Sequence, residues 1–258
     1  MEPDAYTTMH ETESIHWWFK GRRNIIKSVL TKLPLPTSPK ILEVGCGTGG
    51  NLELLRTFGS VCAIEMDTLA LRLARSKSSS DIEIWPGNLP DNLPEISQKF
   101  DLICLFDVLE HIEQETESLK RLQSLLKPHG YVIFTVPAYS WLWGPHDEKL
   151  HHKRRYTRTS LQNSLHSTGF VIQRISYFNS LLFPLVALFR LQERLRPNRK
   201  INGLAPPPVA INSTFEKIFS SERHLLRHID LPIGVSLLAI ARLPTLKNDR
   251  TPLSPPQR

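Results

Sequence analysis

The sequence predicts an α/β protein built on a Rossmann-like, doubly wound, mainly parallel sheet, and three observations lead there. Short apolar runs alternate with helix-period segments from Lys40 to Val136, joined by brief polar loops. The runs are apolar throughout rather than every second residue, as strands covered by helices on both faces must be. The first run, Lys40–Val44, leads directly into a glycine-rich turn and then a helical stretch.

Taken in order, residues 11–33 read as one helix, with His16-Trp17-Trp18-Phe19 followed by Arg22 and Arg23. Leu33-Pro34-Leu35-Pro36-Thr37-Ser38-Pro39 breaks it and acts as a linker. The core then alternates strand Lys40–Val44, helix Asn51–Phe58, strand Ser60–Glu65, helix Leu69–Ser76 and strand Ile82–Trp85. Strand Phe100–Phe106, helix Glu115–Leu126 and strand Tyr131–Val136 continue it. Beyond Pro137, Thr159–Thr168 reads as a helix ended by Gly169, and Phe170–Tyr177 and Gly234–Arg242 read as strands. The expected organisation is an N-terminal helix or lid with linker over 1–39 and a core over 40–177. A helical insertion follows over 178–232, then a final strand over 233–244 and a disordered tail over 245–258, rich in proline.

The chain has 258 residues, 40% of them hydrophobic, enough to fill a sizeable core. A net charge of +7 favours anionic surroundings without specifying them. Cys46, Cys62 and Cys104 sit in apolar or glycine-rich stretches without metal-ligand spacing and read as reduced, buried residues. The polar start, Met1–His10, has no apolar signal region, and these two readings together point to a cytoplasmic protein. The longest apolar run, Leu181–Phe189, is interrupted by Pro184 and too short to span a bilayer.

Glu43-Val44-Gly45-Cys46-Gly47-Thr48-Gly49-Gly50 satisfies G-x-G-x-x-G, with Glu65 at the end of the next strand. Such a loop binds a dinucleotide or S-adenosyl-L-methionine, or is a tight turn that binds nothing. Glu43 favours the second ligand, because its carboxylate would repel a pyrophosphate and attract an ammonium or sulfonium. From here the order of motifs resembles the class I S-adenosylmethionine-dependent methyltransferase family (type 11/23-like). Glu43–Gly49 resembles its first motif, and Ala63-Ile64-Glu65-Met66-Asp67 its second. Gly87-Asn88-Leu89-Pro90 resembles the loop after the third strand, with Asn88 where the family usually has Asp. Phe100-Asp101-Leu102-Ile103 with Phe106-Asp107-Val108-Leu109-Glu110-His111-Ile112 resembles the fourth strand and its loop. Leu126-Lys127-Pro128-His129-Gly130-Tyr131 resembles the turn before the fifth, with His129 replacing a glycine. The resemblance covers about residues 15 to 176. It implies a seven-stranded sheet with the last strand antiparallel, an inserted helical cap, and S-adenosyl-L-methionine as cofactor. It further implies a cofactor site shaped by Glu43, Gly45, Cys46, Gly47, Gly49, Glu65, Met66, Asn88, Leu89 and Asp107.

Methyl transfer relies on positioning and exclusion of water, with one base where the acceptor is a hydroxyl or amine. His111, placed at the carboxyl end of the sheet, is the candidate base, while Glu110 reads as a solvated or helix-capping residue. His146–Tyr156 is the densest polar stretch. Within it Lys153, Arg154, Arg155 and Tyr156 would hold a phosphate or carboxylate of the acceptor, or form a solvated basic loop. A metal on His146, His151 and His152 is opposed by the adjacent cations, so none is expected. Trp18 and Arg22 would lid the reacting centre, or their helix would pack on the sheet edge through its aromatics; as a lid they complete the expected acceptor side with His151, Arg155 and Tyr156.

The apolar stretch Phe178–Phe189, followed by Arg190, Arg194, Arg196, Arg199 and Lys200, needs a cover. A peripheral membrane contact through 178–200, a hydrophobic substrate lid, or burial against the core or a partner subunit would each supply one. Nucleic acid is disfavoured, since the basic residues are scattered and no binding module is present. The sequence thus predicts a methyltransferase acting on a small-molecule or lipid-linked acceptor. The alternatives are a nicotinamide-dependent oxidoreductase and a membrane-associated protein that binds the cofactor without catalysis.

Overall fold

A computed structural model describes residues 1–195 and 205–244 of the chain. Its elements run α1 (Pro3–Thr12), α2 (Trp17–Leu30), β1 (Lys40–Val44), α3 (Leu52–Arg56), β2 (Ser60–Glu65), α4 (Thr68–Lys77) and β3 (Glu83–Pro86). Then come β4 (Phe100–Phe106), α5 (Glu115–Leu125), β5 (Leu126–Pro137), α6 (Pro145–Lys149), α7 (Arg158–Ser167), β6 (Val171–Phe178), α8 (Phe183–Leu195), α9 (Val209–Leu225) and β7 (Ser236–Arg242). The seven strands form one sheet in the order β3-β2-β1-β4-β5-β7-β6, with β7 antiparallel to both β5 and β6. The expected architecture is present, and the chain reverses direction across the sheet between β1 and β4, where such folds open a ligand crevice.

Adjacent residues of each strand point to opposite faces, which divides the core in two. Ile41, Leu102, Cys104, Ile133 and Leu238 pack with α2, α3, α4 and α9, whereas Leu42, Ile103, Leu105, Phe134 and Leu237 pack with α5 and α7. Strand β5 starts at Leu126, five residues before the sequence expectation, because Leu126 already pairs with Phe100 across an irregularity in the ladder.

Two further differences matter for function. The helix expected over 11–33 is two helices. His16 has extended backbone (φ −69°, ψ 131°), and its ring nitrogen accepts the Trp18 N–H at 3.2 Å, so it caps α2 rather than continuing α1. The insertion is more than a cap, since α9 is laced to α2. Asn212 accepts the Trp17 N–H at 2.9 Å and donates to the Ile15 carbonyl at 2.8 Å, and Trp17 meets Phe215 and Phe219 edge-on. Gly21 permits this approach: a methyl group there would run into the ring of fully buried Phe219. Helix α8, by contrast, leaves Leu185, Leu188 and Leu191 about half exposed, as is Leu181 just before it. The tail expected over 245–258 and residues 196–204 of the insertion lie outside the described residues, and no described helix is long and apolar enough to cross a membrane.

Candidate active site

The turn after β1 is built by backbone shape. Gly45 (φ +70°) lies so close to the next rim of the sheet that a Cβ would stand 2.7 Å from Val108 Cγ2. At Gly47 (φ +55°) the space is open, and the nearest atom to a Cβ would be Met9 Sδ at 4.0 Å. The loop is flanked by two buried carboxylates. Glu65 ends β2 and accepts N–H bonds from Gly47 (2.7 Å) and Asp67 (2.9 Å), and burial raises its pKa. Glu43 is held at one oxygen by Asn51 Nδ2 (2.8 Å), while Oε2 is buried with no hydrogen-bond partner. Burial pushes Glu43 up to about 7, only partly opposed by the Asn51 bond and nearby Arg22.

Arg22 reaches up from α2 into the same crevice. It is ion-paired with Asp107, its guanidinium carbon lies 4.5 Å from the centre of the Trp18 ring, and its Nε is buried without a partner. Asp107 itself has φ +58°, and Tyr139, His151 and Asn179 share that left-handed conformation. Three of the four directly follow the carboxyl ends of β4, β5 and β6 or lie one residue beyond, so the rim stores backbone strain where a site would sit.

Helix α1 roofs the crevice. Ala5 packs with Phe19 and Leu150 in a small third cluster, and Tyr6 is buried close enough to Glu65 and Asp67 for their charges to raise its pKa beyond what burial does. A latch holds the roof: buried Glu13 accepts a bond from Thr48 (2.9 Å) and pairs with Lys77, while Arg23 donates to the Glu13 carbonyl at 2.6 Å. Neither α1 nor the part played by Glu13 was expected from the sequence. Pro3 in the first turn beside Asp4 was the available signal.

The other predicted residues divide. Met66 is largely exposed at the crevice edge, Asn88 is partly buried in the following loop, and Leu89 belongs to the core. Cys46 is buried beneath the loop, and burial raises its thiol pKa well above the usual value. Segment 151–156 is stitched to the rim by bonds from the Lys153 N–H to the Glu110 carbonyl (2.7 Å) and from the Tyr139 N–H to the Tyr156 carbonyl (2.8 Å). Its cations are already matched. Arg155 grips Asp147 with two bonds (2.8 and 3.0 Å) and donates to the Ala138 carbonyl, Arg154 pairs with Glu115, and Lys153 lies 3.6 Å from Glu113. Buried Tyr156 donates to the Leu109 carbonyl at 3.4 Å. The expected anion cradle is therefore a set of matched ion pairs: Asp147 of the same stretch folds back onto Arg155, and Glu113 and Glu115 come from the segment after β4. Glu110, expected in solvent or at a cap, is fully buried with both oxygens lacking hydrogen-bond partners. His111 stands beside it, and burial drives it down to about 3, so it is neutral at physiological pH.

A crevice at the switch point of an open, mainly parallel sheet, rimmed by a glycine loop and two buried carboxylates and roofed by α1, defines the class. Residues 18–175 match the methyltransferase-domain family, and the chain belongs to it. The malonyl-[acyl-carrier protein] O-methyltransferase of Enterobacter lignolyticus is 25% identical over 60% of this chain and 64% of its own length. The ubiquinone biosynthesis O-methyltransferase of Thiobacillus denitrificans is 30% identical over 52% of this chain and 63% of its own. The chain thus spans under two-thirds of either relative. Among solved structures, a chain of the complex between the Haloferax volcanii Trm112 methyltransferase activator and a methyltransferase superposes with a TM-score of 0.61. It is 17% identical, over 93% of this chain and 95% of that one. An S-adenosylmethionine-dependent methyltransferase from Mesorhizobium loti gives 0.53 at 18% identity, over 83% and 95%. Both likenesses concern the fold. The domain is an S-adenosylmethionine-dependent methyltransferase domain, and the residues present suit that cofactor: an unpartnered carboxylate oxygen and an unpartnered guanidinium Nε share one crevice with a carboxylate bonded to the glycine loop.

Proposed function

We propose that this protein moves a methyl group from S-adenosylmethionine to an oxygen, nitrogen or carbon of a small or lipid-linked acceptor. The observation that favours it over nicotinamide chemistry is the buried carboxylate pair Glu43 and Glu65 flanking the loop. A pyrophosphate between them would meet two negative charges, whereas an ammonium beside Glu43 and a ribose diol beside Glu65 meet complementary groups. When bound, the cofactor supplies a methyl group on a positively charged sulfur. The chain's own contributions are to hold and to exclude. Glu43 Oε2 receives the ammonium, Arg22 turns its free Nε to the carboxylate, and Glu65 exchanges the Gly47 amide for ribose hydroxyls. Gly45, Gly47 and Gly49 keep the backbone close, with Cys46 beneath them. Met66, Asn88 and Leu89 border the base, and α1 with Trp18 keeps water out.

His111, His151 and the rim made by Arg155 and Tyr156 line the acceptor side. His111 near pKa 3 is an inefficient proton acceptor at neutral pH, so its part is to orient the acceptor. From His152 the rim passes to His146 (ring centres 6.5 Å apart) and Arg190, then to an apolar notch of about 230 Å³ lined by Trp141, Ala187, Leu188, Arg190 and Leu191. An acceptor with a polar reacting end and an apolar tail fits that path, and the exposed leucines of α8 suit a peripheral membrane source for it.

Calorimetric titration with S-adenosylmethionine, S-adenosylhomocysteine and NAD tests the reading, with Glu65→Ala as control. Micromolar binding of the two methyl-cycle compounds, weakened at least tenfold in the variant, supports it. Binding of NAD alone would sink it. Binding without S-adenosylhomocysteine production across an acceptor panel of phenols, amines and lipid-linked hydroxyls would favour the non-catalytic alternative.

A further inference from the structure

Buried polar groups in folded proteins nearly always find partners, and a fully buried carboxyl with both oxygens unpartnered is a conspicuous exception. Glu110 is that exception here, and the groups around it are not random. One nitrogen of His111, one nitrogen of His152 and an oxygen of Glu110 all lie within 4.8 Å of one another, and the two imidazole rings are 4.7 Å apart in an edge-to-face arrangement.

His152 is also held at its other side, where Nδ1 donates to Asp147 Oδ1 at 2.8 Å. Asp147 is fully buried and fixed by two bonds from Arg155 and one from the Gly144 N–H at 2.9 Å. The backbone of His151, left-handed at φ +56°, lies against the ring of His111. The Asp147 bond occupies Nδ1 of His152 and leaves its Nε2 available to a ligand. A carboxylate behind the ring is the arrangement that orients and strengthens histidine ligands of metal ions.

We propose that Glu110, His111 and His152 form a binding site for one divalent transition-metal ion, with His152 oriented from behind by Asp147. Two imidazoles and one carboxylate suit Zn²⁺, Fe²⁺ or Mn²⁺ rather than Ca²⁺ or Mg²⁺, which prefer oxygen. Ligand atoms around such an ion lie roughly 3.4 Å apart in tetrahedral geometry, so the three close by about 1 Å on binding. The cations that count against a metal on sequence grounds do not face the site unopposed, since Arg155 is matched by Asp147, Arg154 by Glu115 and Arg22 by Asp107. Three protein ligands leave coordination positions for solvent or for an oxygen of the acceptor.

The site stands whether or not the methyl-transfer reading does, and the test keeps the two apart. Chelator-treated full-length protein is titrated with Co²⁺, followed by its visible absorption, and with Zn²⁺ by calorimetry. Far-ultraviolet circular dichroism and a cooperative melting curve, measured separately, serve as the fold control. The expected result is one equivalent of metal per chain, weakened at least tenfold in His152→Ala and in Glu110→Gln, with the fold control retained in both. Should one variant fail to fold, the other decides. No stoichiometric Co²⁺ or Zn²⁺ binding, or binding equally tight in the folded variants, overturns the site.

Discussion

Glu43 provides the sharpest quantitative test of the cofactor site. Its carboxyl titrates near 7 because burial opposes the charge. If its ionised form is what receives the ammonium, apparent affinity scales with the ionised fraction of the free protein. That fraction rises from roughly 0.1 at pH 6 to roughly 0.9 at pH 8, so the Kd for S-adenosylhomocysteine falls about tenfold, or about 1.4 kcal/mol. The sign for stability is the opposite. A folded pKa raised above the unfolded value means the free protein loses stability as pH climbs from about 4.5 through 7, by up to roughly 3 kcal/mol. Glu43→Gln removes both effects. Its affinity is low and flat with pH, and its free form melts at a temperature less dependent on pH than the parent's. Calorimetry at pH 6, 7 and 8, with melting curves on the same samples, checks both limbs. A parent affinity that does not change with pH, or an unchanged slope in Glu43→Gln, would refute the assignment.

Arg22→Ala should weaken S-adenosylhomocysteine binding by ten- to a hundredfold, the scale of one charge-assisted bond of about 1.5–3 kcal/mol. It should leave 5′-methylthioadenosine, which lacks the amino-acid part, nearly unaffected, and equal losses for both ligands in calorimetry would reject this role. Gly21→Ala drives a methyl into Phe219 and should lower stability by about 1–3 kcal/mol in urea unfolding, with the larger loss in Gly21→Val. Asp147→Asn strands Arg155 and His152 and should cost about 3–5 kcal/mol at pH 7. Although burial opposes its charge, bonds from His152 and Arg155 hold the Asp147 pKa well below 3.8, so the parent loses this stabilisation as pH falls below about 4. The gap between parent and variant in unfolding curves should therefore shrink in acid.

Most of the sheet was legible because buried parallel strands leave continuous apolar runs, and β1, β2 and β4 fall where those runs are. The glycine loop and its two carboxylates were legible because their chemistry is local: all lie within one strand-turn-helix-strand unit. What escaped was non-local. Nothing in Lys153-Arg154-Arg155 announces that Glu115 will neutralise Arg154, and nothing around Glu110 announces that the fold will bury it beside His152, some forty residues away. The break between α1 and α2 escaped for a different reason: histidine rarely signals a cap, and here it acts as one only because burial, lowering its pKa to about 4, keeps the ring neutral and able to accept.

The strand order has a consequence for how the protein is made. Strand β7 lies between β5 and β6, yet roughly 60 residues of insertion separate it from β6 in the chain. At about 5–20 residues per second of synthesis, β5 and β6 wait for several seconds with open edges before their shared neighbour exists. During that interval α8, with its exposed leucines, emerges beside unpaired backbone, the combination most prone to intermolecular pairing. Expression at lower temperature, or with holding chaperones, should therefore raise soluble yield more for this chain than for one whose last strand is supplied by an ordinary hairpin.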